Sequence, residues 1–369
     1  MTRNEFIEKL TTALSVRMSA DMTAELIEDF NAHFDEALKA GKSEEAVCEF
    51  LGDPAEIAVQ CFDMEPPDAE RYVGQDSAYQ EAELRRNLSI KLKSWNLQCA
   101  PWDGEKFRIA VMIGEKAIPD PRVRIEEKEN GLYITQLPDD DFPWIKRFFL
   151  NDGQRTLKVA IPRSFKGEID AYTGSGNINF SELALEGKLH AQTGSGNVSL
   201  AGVSSGETFS CHTGSGNIRL NDCSGTGDFH TGSGNITASG HRGTIGARAG
   251  SGNLRLETDS LSEETKFETG SGNVHISAAS LSADLKLRSG SGNIIFEIRE
   301  LRGNITGDTG SGNIRGVLSA GTKARFILRT AMWGSKVHND FENDDLPNDL
   351  PVVELKTGVG SLRIEKIQP

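Results

Sequence analysis

Leu189-His190-Ala191-Gln192-Thr193-Gly194-Ser195-Gly196-Asn197-Val198-Ser199-Leu200 alternates apolar or small residues with polar ones on both sides of a Gly-Ser-Gly-Asn tetrapeptide. Alternation with period two marks a half-buried strand, and a run of glycines between two such strands marks a bend. The stretch therefore reads as two short strands meeting at a corner.

The same tetrapeptide begins at Gly174, Gly194, Gly214, Gly232, Gly250, Gly270, Gly290 and Gly310, at intervals of 20, 20, 18, 18, 20, 20 and 20 residues. Regular recurrence of this kind means an array of like units. An aliphatic residue follows each copy: Ile178, Val198, Ile218, Ile236, Leu254, Val274, Ile294 and Ile314. One unit buries only about five apolar side chains, too few to offset the ordering of its backbone, so units must stack to be stable. Stacking in register pairs each strand with its equivalents above and below, which makes the sheets parallel. Parallel crossovers are overwhelmingly right-handed. The fold predicted is a mainly β, right-handed parallel β-solenoid, with about 20 residues per coil and a spacing near 4.8 Å.

The corner glycines are expected where backbones of adjacent coils approach closely, with positive φ as a further reason for them. Asn177, Asn197, Asn217, Asn235, Asn253, Asn273, Asn293 and Asn313 should form a structural ladder of amides, each bonding to the next. Thr173, Thr193, Thr213, Thr231, Thr269 and Thr309 form a second row, interrupted by Ala249 and Ser289.

Regular coils are assigned to 171–320, within a solenoid unit of 88–369 whose ends serve as caps. The strand-like segments at the first end are Lys106–Met112, Arg122–Glu126, Gly131–Thr135 and Thr156–Pro162. Toward the other, Phe326–Thr330 with Trp333-Gly334-Ser335 reads as a decayed coil, and Gly358-Val359-Gly360-Ser361-Leu362 as the last one. Asn339–Asp345 between them reads as an acidic surface loop. Leu157-Lys158-Val159-Ala160-Ile161-Pro162, Gly167-Glu168-Ile169 and Thr173–Ile178 resemble the bacterial adhesin-like β-strand-repeat family, over about three quarters of the chain. That resemblance implies a β-strand-repeat fold.

The first 63 residues read differently. Thr2-Arg3-Asn4-Glu5 is a capping box, and Phe6, Ile7, Leu10 and Leu14 follow at helical spacing. A second helix is predicted over 19–40, a third after Ser43, and a fourth from Asp53-Pro54-Ala55-Glu56. Glu5-Phe6, Phe30, His33-Phe34, Ser43-Glu44-Glu45 and Leu51-Gly52-Asp53-Pro54 with Glu56-Ile57-Ala58 resemble the HAAS-type helical signalling domain of bacteria. The resemblance implies a docking or signalling role. Residues 64–87, with Glu65-Pro66-Pro67-Asp68, read as a linker.

Net charge is −14, of which residues 1–63 carry −9 from 14 acids and 5 bases. Such a surface repels phosphate backbones, and no nucleic-acid partner is expected. Cys48, Cys61, Cys99, Cys211 and Cys223 are odd in number and form no C-x-x-C pair, so they read as reduced thiols with no disulfide framework or zinc site. Arg3, Glu5, Glu8 and Lys9 break up the first 15 residues, which does not suit a secretory signal. The expected location is the cytoplasm, with peripheral contact at a membrane surface as a variant.

The tetrapeptide is no dinucleotide loop, because the third glycine and the following helix are missing. No convergent set of acids and bases suggests a catalytic centre, and no cofactor or metal is expected. His212 and His230 share an outward position on adjacent coils, with His190 one coil earlier and two residues displaced; they read first as solvent-facing, with a surface metal site as the alternative. Arg219, Arg255, His275 and Arg315 share another outward position and form a mildly basic stripe, a candidate interaction surface. The reading that follows is a non-enzymatic cytoplasmic scaffold or interaction protein. Its helical domain would dock a signalling or envelope-stress partner and its solenoid would offer a protein-binding face. The alternatives are an envelope adhesin binding glycan or protein and, third, a β-helix carbohydrate-active enzyme; a small-molecule substrate is not expected.

Overall fold

The computed structural model describes residues 1–15, scattered positions between 23 and 58, and 79–118, 120, 122–138, 154–333, 335–341 and 347–367. The chain divides into two units, Met1–Ala78 and Tyr79–Pro369. The second and fourth helices of the sequence reading fall largely outside the described residues, as do Cys61, most of the 64–87 segment and most of the acidic loop.

In the first unit, α1 (Arg3–Leu14) opens on the capping box: Thr2 Oγ1 accepts from the Glu5 N–H, and the Glu5 carboxylate accepts from the Thr2 N–H at 2.9 Å. Phe6, Leu10 and Leu14 fall on one stripe and are fully buried. They pack with Phe34, Ala58 and, from α2 (Glu44–Leu51), Val47 and Cys48. The Phe6 and Phe34 rings meet edge to face at 5.6 Å.

Among the described residues, the second unit is built almost wholly from two sheets, one of 15 and one of 14 strands. Each coil gives one strand to each sheet. In the first sheet, Ile178 pairs with Val198, Val198 with Ile218, Ile218 with Ile236, and the column runs on to Ile314, every pairing parallel. In the second, Leu189–Thr193 lies between Glu168–Thr173 and the last five residues of Ser204–Thr213. Alternate side chains of both sheets point inward. Phe180, Phe209, Phe229, Phe267 and Phe296 are fully buried there among Ile, Leu, Val and Ala.

At the corners, glycine is required by crowding. A Cβ on Gly196 would run into the Gly176 carbonyl oxygen, and one on Gly234 into that of Gly216. The eight tetrapeptides show no positive φ, so the second reason expected for these glycines does not apply.

The ends depart from the sequence reading. The first coil of the unit was missed: Asn87–Leu92 and Asn96–Trp102 pair in parallel with Glu168–Thr173 and Ile178–Ser181. Its corner is Lys93-Ser94-Trp95-Asn96, with Trp95 in the place of the second glycine. On the other side of this corner, among the described residues, Gln136 accepts from the Lys93 and Ser94 N–H groups, and the Arg122 guanidinium lies 5.0 Å from the Trp95 ring. Arg122, Asp120 and Arg155 are buried together, with Arg122 to Asp120 at 2.6 Å. Gln80–Ala82, inside the segment read as linker, is a strand paired antiparallel with Phe107–Ile113, and Ala82 is buried.

Spatial order also differs from chain order. The coil of Val352–Val359 and Leu362–Lys366 docks directly on Ile305–Ser311 and Ile314–Leu318. The earlier segments Arg325–Thr330 and Val337–Asn339 then pair on its far side. The coil read as last is therefore next to last, and the decayed one closes the stack. The glycines Gly358 and Gly360 let the later coil approach Gly310 and Gly312, which the earlier segment, with Met332 and Trp333 at its bend, lacks the means to do. At the other end the same inversion occurs: Asn87–Trp102 lies between Glu168–Ser181 and the strands Gly131–Gln136 and Arg155–Pro162.

Candidate functional site

Side chains at equivalent coil positions line up in columns, and four of these columns bear on function. The asparagine column is the most regular. Each Asn Oδ1 accepts the backbone N–H of the next coil's Asn at 2.8–2.9 Å, from Asn177 through Asn313. Asn96 begins the series and Ser361 ends it. The amide Nδ2 joins in at Asn197, Asn217, Asn235 and Asn273. The bond that recurs at every step is thus donated by a backbone N–H to a side-chain oxygen, where the sequence suggested amide to amide.

The threonine column is buried beside it. Thr193 Oγ1 donates to the Gly176 carbonyl at 2.9 Å and accepts the Gly196 N–H at 3.1 Å, and Thr213 and Thr231 repeat both bonds. Ser289 makes the same pair of bonds, so it does not interrupt the row; only Ala249, which has no hydroxyl, does. Both columns satisfy corner backbone groups that the glycine turns would otherwise leave exposed or buried without partners.

The basic stripe lies on the first sheet. The column runs Arg219, Thr237, Arg255, His275, Ile295, Arg315, Arg363 and His338. Two residues along each strand, a parallel column carries Glu257, Glu297, Glu365 and Asp340. Arg255 meets Glu257 at 3.5 Å, and Glu365 is held by Arg315 at 2.7 Å and Arg363 at 3.0 Å. The hydrogen bond from Arg315 keeps the Glu365 carboxyl below its usual range. Burial, helped by Arg255, lowers the proton affinity of His275. The surface is therefore a zwitterionic band, not a basic one. The alternation of basic and acidic residues at i and i+2 in Arg255-x-Glu257 was the signal in the sequence.

The fourth column is on the second sheet: Gln192, His212, His230, Arg248, Glu268, Arg288, Asp308 and Lys356. From Arg248 onward the sign of charge alternates coil by coil. Arg248 bridges Asp228 at 2.9 Å and Glu268 at 3.3 Å, and Arg288 approaches Glu268 at 3.8 Å. This part of the column borders an open groove floored by Gly250, Gly270, Gly290 and Gly310. His190, His212 and His230 stand ahead of it, with ring centroids 5.6 and 6.0 Å apart in succession. Burial, and after it the neighbouring His190, lowers the proton affinity of His212.

Cys48, Cys99, Cys211 and Cys223 are buried free thiols, and burial pushes Cys99 and Cys211 well above the usual thiol range. They are unsuited to nucleophilic chemistry. Among the described residues, no three His, Cys, Asp or Glu side chains stand together as metal ligands, and no helix is long and apolar enough to cross a membrane.

Comparison with known proteins gives two domain matches: the HAAS model over residues 5–59 and the Toastrack DUF4097 model over residues 85–312. No curated protein matches the chain. A crystal structure of a presumed cell adhesion protein from Clostridium sporogenes aligns at 10% identity over 78% of this chain and 98% of that one, with a TM-score of 0.16. With well over half its length matched by the one model, and a HAAS-like helical unit ahead of it, the chain belongs to the Toastrack DUF4097 family.

Proposed function

We propose that this protein is a non-enzymatic interaction protein of the cytoplasm, in which the HAAS-like unit docks a signalling or envelope-stress partner and the Toastrack unit presents a long protein-binding face. In this reading the coils wind to the right, as parallel crossovers of twisted strands do. The observation that supports it best is the second sheet's column of alternating charge, Arg248, Glu268, Arg288 and Asp308, set beside an open groove. Alternating charges held in fixed register favour a partner with the complementary sequence of charges and disfavour others, which gives selectivity more than raw affinity.

The test is crosslinking in intact cells followed by mass spectrometry, comparing the parent chain with the double charge reversal R288E/D308R. Partner crosslinks to the coils around Gly270–Gly310 should disappear in the variant, while those to residues 1–63 persist. Equal crosslinking in both chains, or none to either unit, counts against the proposal. Protease treatment of intact cells separates it from the adhesin reading, since a cytoplasmic protein is protected.

A further inference from the structure

We infer that His212 and His230 form a two-imidazole binding site for a borderline transition-metal ion of the Zn²⁺, Ni²⁺ or Cu²⁺ class, a property beyond the docking role proposed above. The two residues are direct register partners on adjacent parallel strands, so their side chains leave the sheet side by side. A metal–nitrogen bond of about 2.1 Å places a ring centroid about 3.2 Å from the ion, so two imidazoles on one tetrahedral ion have centroids roughly 5.3 Å apart. The observed separation of His212 and His230 is 6.0 Å, close enough to be met by small side-chain rotations. His190 lies nearer to His212, at 5.6 Å, but it is not its register partner and its Nδ1 is engaged by the Ser210 hydroxyl at 2.7 Å.

The rest of the column shows why this step is unusual. His230 has Arg248 as its next register partner, and from Arg248 onward successive coils bring opposite charges together: Arg248 with Glu268, Glu268 with Arg288, Arg288 with Asp308, Asp308 with Lys356. Between His212 and His230 no acid intervenes. Two like side chains are stacked, each able to offer a neutral nitrogen lone pair, and a shared cation supplies the positive charge that the column's pattern places opposite a donor. The nearest fixed cation, Arg248, is drawn between Asp228 and Glu268, which offsets its field at the pair. Imidazole-only ligation selects this class over Ca²⁺ and Mg²⁺, which take oxygen ligands.

The experiment uses the full chain, stripped with a chelator and then titrated with Cu²⁺ alone, read by calorimetry and by electron paramagnetic resonance. One ion per chain is expected at this site, with hyperfine coupling to two imidazole nitrogens. H212Q and H230Q should each weaken that binding by about tenfold or more and leave one coupled imidazole, whereas H275Q and H338Q should leave it unchanged. Circular dichroism of the metal-free variants checks that they fold, and the two-nitrogen signature is read on the parent chain alone. Equal affinity in the parent and either H212Q or H230Q, a parent spectrum with fewer than two coupled imidazoles, or absence of stoichiometric binding overturns the proposal.

Discussion

Single residues in this protein matter through the coil next door. Ala249 occupies a position where Thr231 and Thr269 place a hydroxyl between two corner glycines, so A249T should add a donor to the Gly234 carbonyl and an acceptor for the Gly252 N–H. Thermal or denaturant unfolding should show a gain of about 0.5–1.5 kcal/mol. The reverse change, T231A, leaves the buried Gly216 carbonyl and Gly234 N–H without their hydroxyl partner and should cost about 1–3 kcal/mol. His241 acts in a different way. It is 1% exposed, its ring lies 5.7 Å from that of Phe209, and neither nitrogen reaches a partner at hydrogen-bond distance. Burial lowers its proton affinity, against the weaker pull of the Thr244 and Gly225 backbone. The unfolded chain therefore takes up the proton first as pH falls, and stability drops from about pH 6.5 downward until the folded form also protonates. Above that range His241 adds no slope. H241F should flatten the stability profile between pH 7 and 5, measured by urea unfolding at each pH.

At the scale of the coil, the decisive fact is which strands depend on which. Among the described residues, the strands Arg325–Thr330 and Val337–Asn339 pair only with the coil of Val352–Lys366. Ending the chain at residue 346 should therefore release two coils instead of one, and limited proteolysis should trim such a product back to about residue 319 while the coils before it resist. The regular coils were legible from sequence because each corner needs glycine for clearance and each strand needs alternation for the core. The coil of Asn87–Trp102 escaped because Trp95 fills a glycine position, although Leu88-x-Ile90-x-Leu92 and Leu97-x-Cys99 keep the alternation. The inverted order of the end coils could not be read locally, since it is decided by which strand edge a segment finds and not by the segment's own pattern. The candidate stripe was legible as a column, but its neutralising partners Glu257 and Glu365 belong to the next column along.

For the Toastrack unit as a whole, each regular coil touches its two neighbours, so stability is close to a sum of coil and interface contributions. Opening should begin at the ends, where one neighbour is missing. Hydrogen exchange should be slowest in coils between Gly214 and Gly290 and fastest in Arg325–Asn339, with a graded series between. The buried thiols of Cys99, Cys211 and Cys223 give an independent check. Each should resist alkylation in the native protein, and Cys99, nearest an end, should become reactive at the lowest denaturant concentration.

The crossed order of the end coils bears on how the protein is made. Residues 87–102 leave the ribosome before either of their flanking coils exists, and residues 325–339 emerge before the coil that will hold them. Each must remain unpaired while translation proceeds, its strand edges open to whatever is at hand. The interval between synthesis of residue 339 and residue 366 is thus a window of vulnerability to misassembly, and a pause in translation within it would lengthen that exposure.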